Sequence, residues 1–233
     1  MSIADNLKAV CDRIVAACVR CGRDPQTVRL MAVSKTFPAD AIREAYATGH
    51  RLFGENRVQE WTEKRATLTD LPDLEMHLIG HLQSNKSAKA APIFHAVDSV
   101  DSLKLFERLN DAATGKTLHV LTEINTGGEE AKSGLAPDSS ELEQMLTAAA
   151  RLSNVEIRGL MTIPPFTNDP EGARPYFRQL RELRDRIAAR NLPRVRVDEL
   201  SMGMSHDFEV AIEEGSTCVR VGTAVFGERA KKP

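Results

Sequence analysis

The feature that most restricts what this chain can fold into is its rhythm. Eight short apolar runs, each followed or nearly followed by a helical pattern, succeed one another from Arg29 to Val221. They are Arg29–Ser34, His50–Phe53, Met76–Ile79, Phe94–Val97, Leu118–Ile124, Val155–Met161, Val197–Met202 and Cys218–Val221. Helical patterns fill the gaps: 38–47 opened by Pro38 with Gly49 as a stop, 57–67, 84–91, and 101–113 capped by Asp101. The rest begin at Ser139 or Ser140 and end at Leu152, run from Glu171 to Arg190, and span Asp207 to Glu213. An amphipathic helix over 3–22, closed by Gly22, precedes the first run. Repeated βα units of this kind predict an α/β fold, a parallel (β/α)8 TIM-type barrel with an extra N-terminal helix; an open doubly wound sheet is the alternative. A chain of 233 residues fits one such barrel, and no composition break or linker divides it, so residues 1–233 read as a single domain.

Composition removes several classes of function. A formal charge of −2 gives no electrostatic reason to expect nucleic acid or an anionic membrane, and aromatics at 5% argue against a base-stacking platform. No basic, apolar leader opens the sequence and no run is long enough to span a bilayer, so cytoplasm is the expected location. Cys18 and Cys21 form a C-x-x-C. With Leu7, Val10, Cys11 and Ile14 they recur at helical spacing, which reads as one buried stripe rather than a redox or zinc site. His77 and His81 stand four apart but straddle a strand end and a loop, so no metal is expected there. His81 is the one of the two placed near a pocket.

A barrel places its chemistry at the carboxyl ends of its strands. Polar and Gly-rich segments fall at those ends, among them Ser34-Lys35-Thr36, Gly54-Glu55-Asn56, Gly80-His81, Met161 to Pro164, Ser201 to Ser205, and Gly222-Thr223. Strand alternation puts Met31, Val33 and Lys35 on one face; if that face is the interior, Lys35 points into the barrel mouth. A partly desolvated lysine there has a lowered pKa and a free amine for a Schiff base, against the plainer reading of a lysine that snorkels to solvent. The loops after the seventh and eighth strands, with Ser205 able to cap a helix, together suggest a phosphate site. Arg220, inside an apolar strand, requires a partner, either a structural ion pair or a ligand atom. Lys132-Ser133-Gly134 is either pocket rim or solvated loop.

These segments, in this order, resemble the YggS/PROSC family of pyridoxal phosphate homeostasis proteins. The likeness is carried by Ala32 to Thr36, Phe53 to Asn56 with Val58 to Glu60, Ile79 to Lys86, Lys132 to Gly134, Gly159 to Pro164, Leu200 to Ser205 with Asp207, and Val219 to Gly227. The resemblance implies a barrel like the N-terminal domain of alanine racemase, the fold-type III arrangement, with pyridoxal 5'-phosphate (PLP) in a Schiff base to Lys35. It also implies phosphate contacts from Ser205, Gly222 and Thr223, with Met204 in the same cofactor-binding set. Arg220 would face the pyridine nitrogen and Asn56 the ring hydroxyl. Departures are Met76, where the family often has tryptophan, and the tail Arg229 to Lys232. The implied role is a monomeric cofactor carrier in vitamin B6 balance, without robust catalysis, whose possible partners are PLP-dependent apo-enzymes. The alternatives are an amino-acid racemase, for which Tyr46 and Tyr176 are the only tyrosines available as a second base, and a cofactor-free Schiff-base aldolase.

Overall fold

The computed structural model describes residues 2–129 and 133–228. Lys132 and the tail Arg229 to Lys232 lie outside the described residues.

The chain opens with α1 (Ile3–Arg20), whose start is fixed by a capping box. Ser2 Oγ accepts from the Asp5 N–H at 3.1 Å, and the Asp5 carboxylate accepts from the Ser2 N–H at 3.2 Å. Its buried stripe is Leu7, Val10, Ile14, Ala17 and Cys18. The expected stripe included Cys11 and Cys21, but Cys11 is exposed and Cys21 half-buried, because the stripe drifts toward Ala17 at the true helical period. The Cys21 thiol donates to Ala17 and Cys18 carbonyls, and no cluster of metal-ligating side chains exists among the described residues.

Eight parallel strands then close in sequence order, β1 (Arg29–Val33) to β8 (Cys218–Val221), with β8 pairing back on β1. Between them lie β2 (Leu52–Glu55), β3 (Glu75–Leu78), β4 (Ala96–Val100), β5 (Leu118–Glu123), β6 (Val155–Met161) and β7 (Val195–Ser201). Helices α2 (Ala39–Ala47), α3 (Val58–Arg65), α4 (Ser87–Ala90), α5 (Leu103–Ala112), α6 (Ser140–Ala149), α7 (Arg174–Ala188) and α8 (Phe208–Glu213) form the outer ring. A short α9 (Thr223–Phe226), absent from the sequence reading, follows β8. The barrel, not the open sheet, is therefore the fold.

Two apolar clusters hold it together. The larger lies between strands and helices and includes Phe53, Phe94, Phe106, Phe177 and Phe208, all fully buried. Burying one such ring stabilises by ~2–3 kcal/mol before entropy is counted. The smaller fills the barrel with Met31, Val33, Leu52, Ile79 and Cys218, so the face shared by Met31 and Val33 is indeed the interior. Below it the interior is charged rather than apolar. His77 bonds Asp98 at 3.0 Å and Glu75 at 2.9 Å, and Arg29 donates to the other Glu75 oxygen at 2.5 Å. Among the described residues, no helix is long and apolar enough to cross a membrane.

Two capping expectations fail. Ser102, not Asp101, caps α5, accepting from the Leu105 N–H at 3.3 Å. Asp207, not Ser205, is the residue before α8, and its carboxylate turns back to accept from the Met204 N–H at 2.6 Å. Each failure matters for the site, because it leaves Asp101 and Ser205 available for other contacts.

Candidate functional site

A cavity of about 420 Å³ opens at the carboxyl ends of the strands, within the ~300–1,000 Å³ usual for small-molecule sites. Lys35 and Asn56 line it from the turns after β1 and β2, Arg220 from β8, Met204, Ser205 and Gly222 from the loops after β7 and β8, and Thr223 from the start of α9. All seven residues singled out from sequence thus share one cavity. His81 and Ser133 also line it, which makes Ser133 pocket rim.

The backbone that carries Lys35 is clamped on both sides. Ser34 donates its hydroxyl to Glu55 Oε1 at 2.8 Å, and the Ser34 carbonyl accepts from Lys64 Nζ at 2.9 Å. On the other side the Thr36 N–H donates to Glu60 Oε1 at 2.5 Å. Thr36 takes a positive φ of 71°, which is uncommon for a side chain branched at Cβ and is held by that bond. Lys64 Nζ ties the two halves together, reaching Glu55 Oε1 at 2.6 Å and Glu60 Oε1 at 2.7 Å from α3. Burial raises the Glu55 carboxyl above its ordinary range, and the Lys64 ammonium pulls it back. None of these groups enters the cavity; they fix the turn from which Lys35 does.

Arg220 is 4% exposed. Its guanidinium donates Nη1 to Ser201 Oγ at 2.8 Å and Nη2 to the Thr162 carbonyl at 2.8 Å. No ion pair to Arg220 forms among the described residues, so the structural ion pair is not how it is accommodated. Burial pulls the guanidinium below its usual value, while the fields of Cys218, Asp98, Asp207 and Glu123 oppose the shift. The Met161 to Pro164 motif finds its use here. Thr162 is buried, donates its hydroxyl to the Ile124 carbonyl at 2.7 Å, and offers its own carbonyl to Arg220.

The two final loops approach each other over the cavity. Gly203 has φ +94°, and a Cβ there would lie 2.6 Å from Ala211 Cβ, so only glycine makes this turn into α8. Its carbonyl accepts from the Arg220 N–H at 3.0 Å, which joins the 203–207 turn to β8. Ser205, Gly222 and Thr223 line one common space, and the first N–H groups of α9, which starts at Thr223, have no partner within the helix. On the opposite wall Gly80 permits a close pass. A Cβ at Gly80 would sit 2.4 Å from the Asn56 carbonyl oxygen, so the β3 loop presses on the backbone of Asn56.

Sequence reasoning missed Glu123. It ends β5 with 7% exposure and is the one acidic side chain lining the cavity among the described residues. Burial and the nearby Asp101 push its pKa to about 7, against the pull of Arg220 and His81. Asp101 itself accepts from His81 Nδ1 at 2.8 Å. The signal was present: within Leu118–Ile124, Glu123 falls on the same alternating face as Leu121, a charge in an apolar strand just as Arg220 is.

Residues 6–230 match the family model described as alanine racemase, N-terminal domain, which defines the class of this barrel. The chain is 46% identical over 231 residues to the pyridoxal phosphate homeostasis protein of Aquifex aeolicus, covering 98% of this chain and 99% of that one. It belongs to the pyridoxal phosphate homeostasis protein family. PipY of Synechococcus elongatus, solved with PLP bound, superposes with a TM-score of 0.83 at 42% identity, over 97% of this chain and 100% of that chain. An alanine racemase of Clostridium difficile shares the fold, with a TM-score of 0.73 at 15% identity, over 96% of this chain and 57% of the racemase.

Proposed function

We propose that this chain carries PLP as a Schiff base on Lys35 Nζ and so contributes to PLP homeostasis in the cytoplasm. The observation that carries this reading is the convergence of Lys35, Arg220 and the two loop segments on one cavity. The donor set matches the cofactor's chemistry. An amine suits an aldehyde, a guanidinium suits a ring nitrogen, and hydroxyls beside free N–H groups suit a phosphate.

When bound, PLP supplies an aldehyde and an electron-withdrawing ring. Lys35 Nζ holds that aldehyde by condensation, with loss of one water. Ser205, Gly222 and Thr223 hold the phosphate, Met204 lines the cavity beside them, and Asn56 sits by the ring hydroxyl. Arg220 donates to the ring nitrogen but does not give up its proton, since a guanidinium stays charged. The ring is then a poor electron sink, which suits a carrier better than an enzyme. In keeping with this, Tyr46 and Tyr176 lie in the outer helices α2 and α7, and no tyrosine lines the cavity among the described residues. The racemase reading therefore has no tyrosine at the cavity to serve as its second base. We further read residues 1–233 as one domain, acting as a monomer and passing its cofactor to PLP-dependent apo-enzymes.

The test is direct. Protein incubated with micromolar PLP and reduced with borohydride should show one cofactor adduct, mapped to Lys35 by mass spectrometry and missing in Lys35→Ala. Absence of any adduct in the unaltered protein would sink the reading. Steady loss of optical activity from L-alanine at enzyme-like turnover would restore the racemase.

A further inference from the structure

A second cavity, of about 460 Å³, lies at the other end of the barrel, among the connections that lead into β3, β4 and β5. It shares no residue with the cavity that holds Lys35. Its wall is largely apolar, built from Trp61 of α3, Leu68, Leu71 and Leu74 before β3, and Ile93 and Phe94 before β4. Trp61 is held in place, since its Nε1–H donates to the Ile93 carbonyl at 2.9 Å.

The charge on that wall has one sign. Arg65 at the end of α3 and Lys116 before β5 both line it, and no acidic residue among those described does. The two carboxylates of the connection into β3 are engaged elsewhere, Asp70 by Arg43 at 2.5 Å and Asp73 by Arg51 at 2.6 Å. Lys116 Nζ gives one proton to the Phe94 carbonyl at 3.0 Å, which leaves two N–H groups for other acceptors. Burial alone lowers its pKa, with no carboxylate working against the shift. His95 adds a further donor. Its Nδ1 accepts from the Met76 N–H at 2.9 Å, so the proton of the neutral ring sits on Nε2. An apolar wall with a few convergent polar groups is the usual make-up of a small-molecule site. Here the polar groups call for an anion and the wall for an apolar body attached to it.

We propose that this cavity is a second ligand site, which takes a small amphipathic carboxylate. Its apolar body lies on Trp61, Leu71 and Ile93, and its carboxylate meets Arg65 and Lys116, with His95 Nε2–H beside them. The site stands whether or not PLP is carried at the opposite end.

The chain has a single tryptophan, and it lies in this wall. Octanoate should therefore change Trp61 emission in a saturable way, and calorimetry should return the same affinity. Octanamide, which keeps the body and loses the charge, should bind about tenfold more weakly or less. Arg65 and Lys116 are exposed, so Arg65→Ala and Lys116→Ala should melt like the unaltered protein. Each should weaken octanoate about tenfold. Absence of both the emission change and the heat overturns the proposal, as does equal binding of octanamide or full affinity in both variants. Excess PLP should leave the calorimetric affinity for octanoate unchanged. Competition between the two would put octanoate in the Lys35 cavity and overturn the second site.

Discussion

Arg220 Nη1 donates to Ser201 Oγ at 2.8 Å, joining β8 to β7 beneath the cavity. Ser201 is itself fully buried. Ser201→Ala leaves one face of a buried guanidinium without an acceptor, at a cost of about 1–3 kcal/mol. Urea unfolding should show a lowered midpoint at unchanged slope. PLP affinity should fall with it, since the cation is then free to tilt.

Gly80 and Asn56 touch backbone to backbone. Gly80→Ala forces one of them to move, and overpacking of this kind costs ~1–3 kcal/mol. Because Asn56 lines the cavity, the expected result is weaker PLP binding together with a modest loss of stability. A titration by fluorescence or absorbance checks it, and unchanged affinity would separate Asn56 from the cofactor.

His77 lies deep in the barrel between two carboxylates. Burial opposes its charge, but Asp98 and Glu75 outweigh burial and push its pKa up to about 9 from 6.5. Glu75 is held down at about 2, so it stays ionised throughout. A raised folded-state pKa stabilises fully below the unfolded value and is lost as pH rises through the folded one. The protein should therefore lose stability between about pH 6.5 and pH 9, by an amount up to ~3 kcal/mol. His77→Gln should flatten that part of the stability profile. Nitrogen NMR at pH 7.5 should find both ring nitrogens protonated.

Lys64 balances the buried Glu55 carboxylate. Lys64→Met strands that charge, which costs about 3–5 kcal/mol when a buried pair loses one partner. Adding Glu55→Gln should recover much of the loss. A double-mutant cycle by chemical unfolding measures the recovery, and simple additivity of the two changes would contradict it.

The barrel was legible because its period is carried by long apolar runs between turn residues. Val155–Met161 and Cys218–Val221 match their strands residue for residue. β4 was placed too early for a physical reason. Asp98 and Ser99 read as the end of a strand, but the charged interior gives Asp98 a partner in His77, so the strand runs on to Val100. β2 was read two residues early for a related reason, since Glu55 looks exposed until Lys64 is brought to it from α3. The cavity residues from the first and last strands were visible as polar or glycine positions after apolar runs. The clamp on residues 34 and 36, and the acceptors of Arg220, depend on contacts between distant elements that no local pattern records.

That clamp limits how cargo can be handed over. Residues on either side of Lys35 are bolted to one helix, by Lys64 and Glu60. The turn cannot act as a swinging arm that delivers its load to a distant recipient. On the carrier reading proposed above, exchange has to happen where the lysine stands, and whatever receives the cofactor must come into the barrel mouth or collect it once released. The molecule behaves less like a courier than like a counter at which collection takes place.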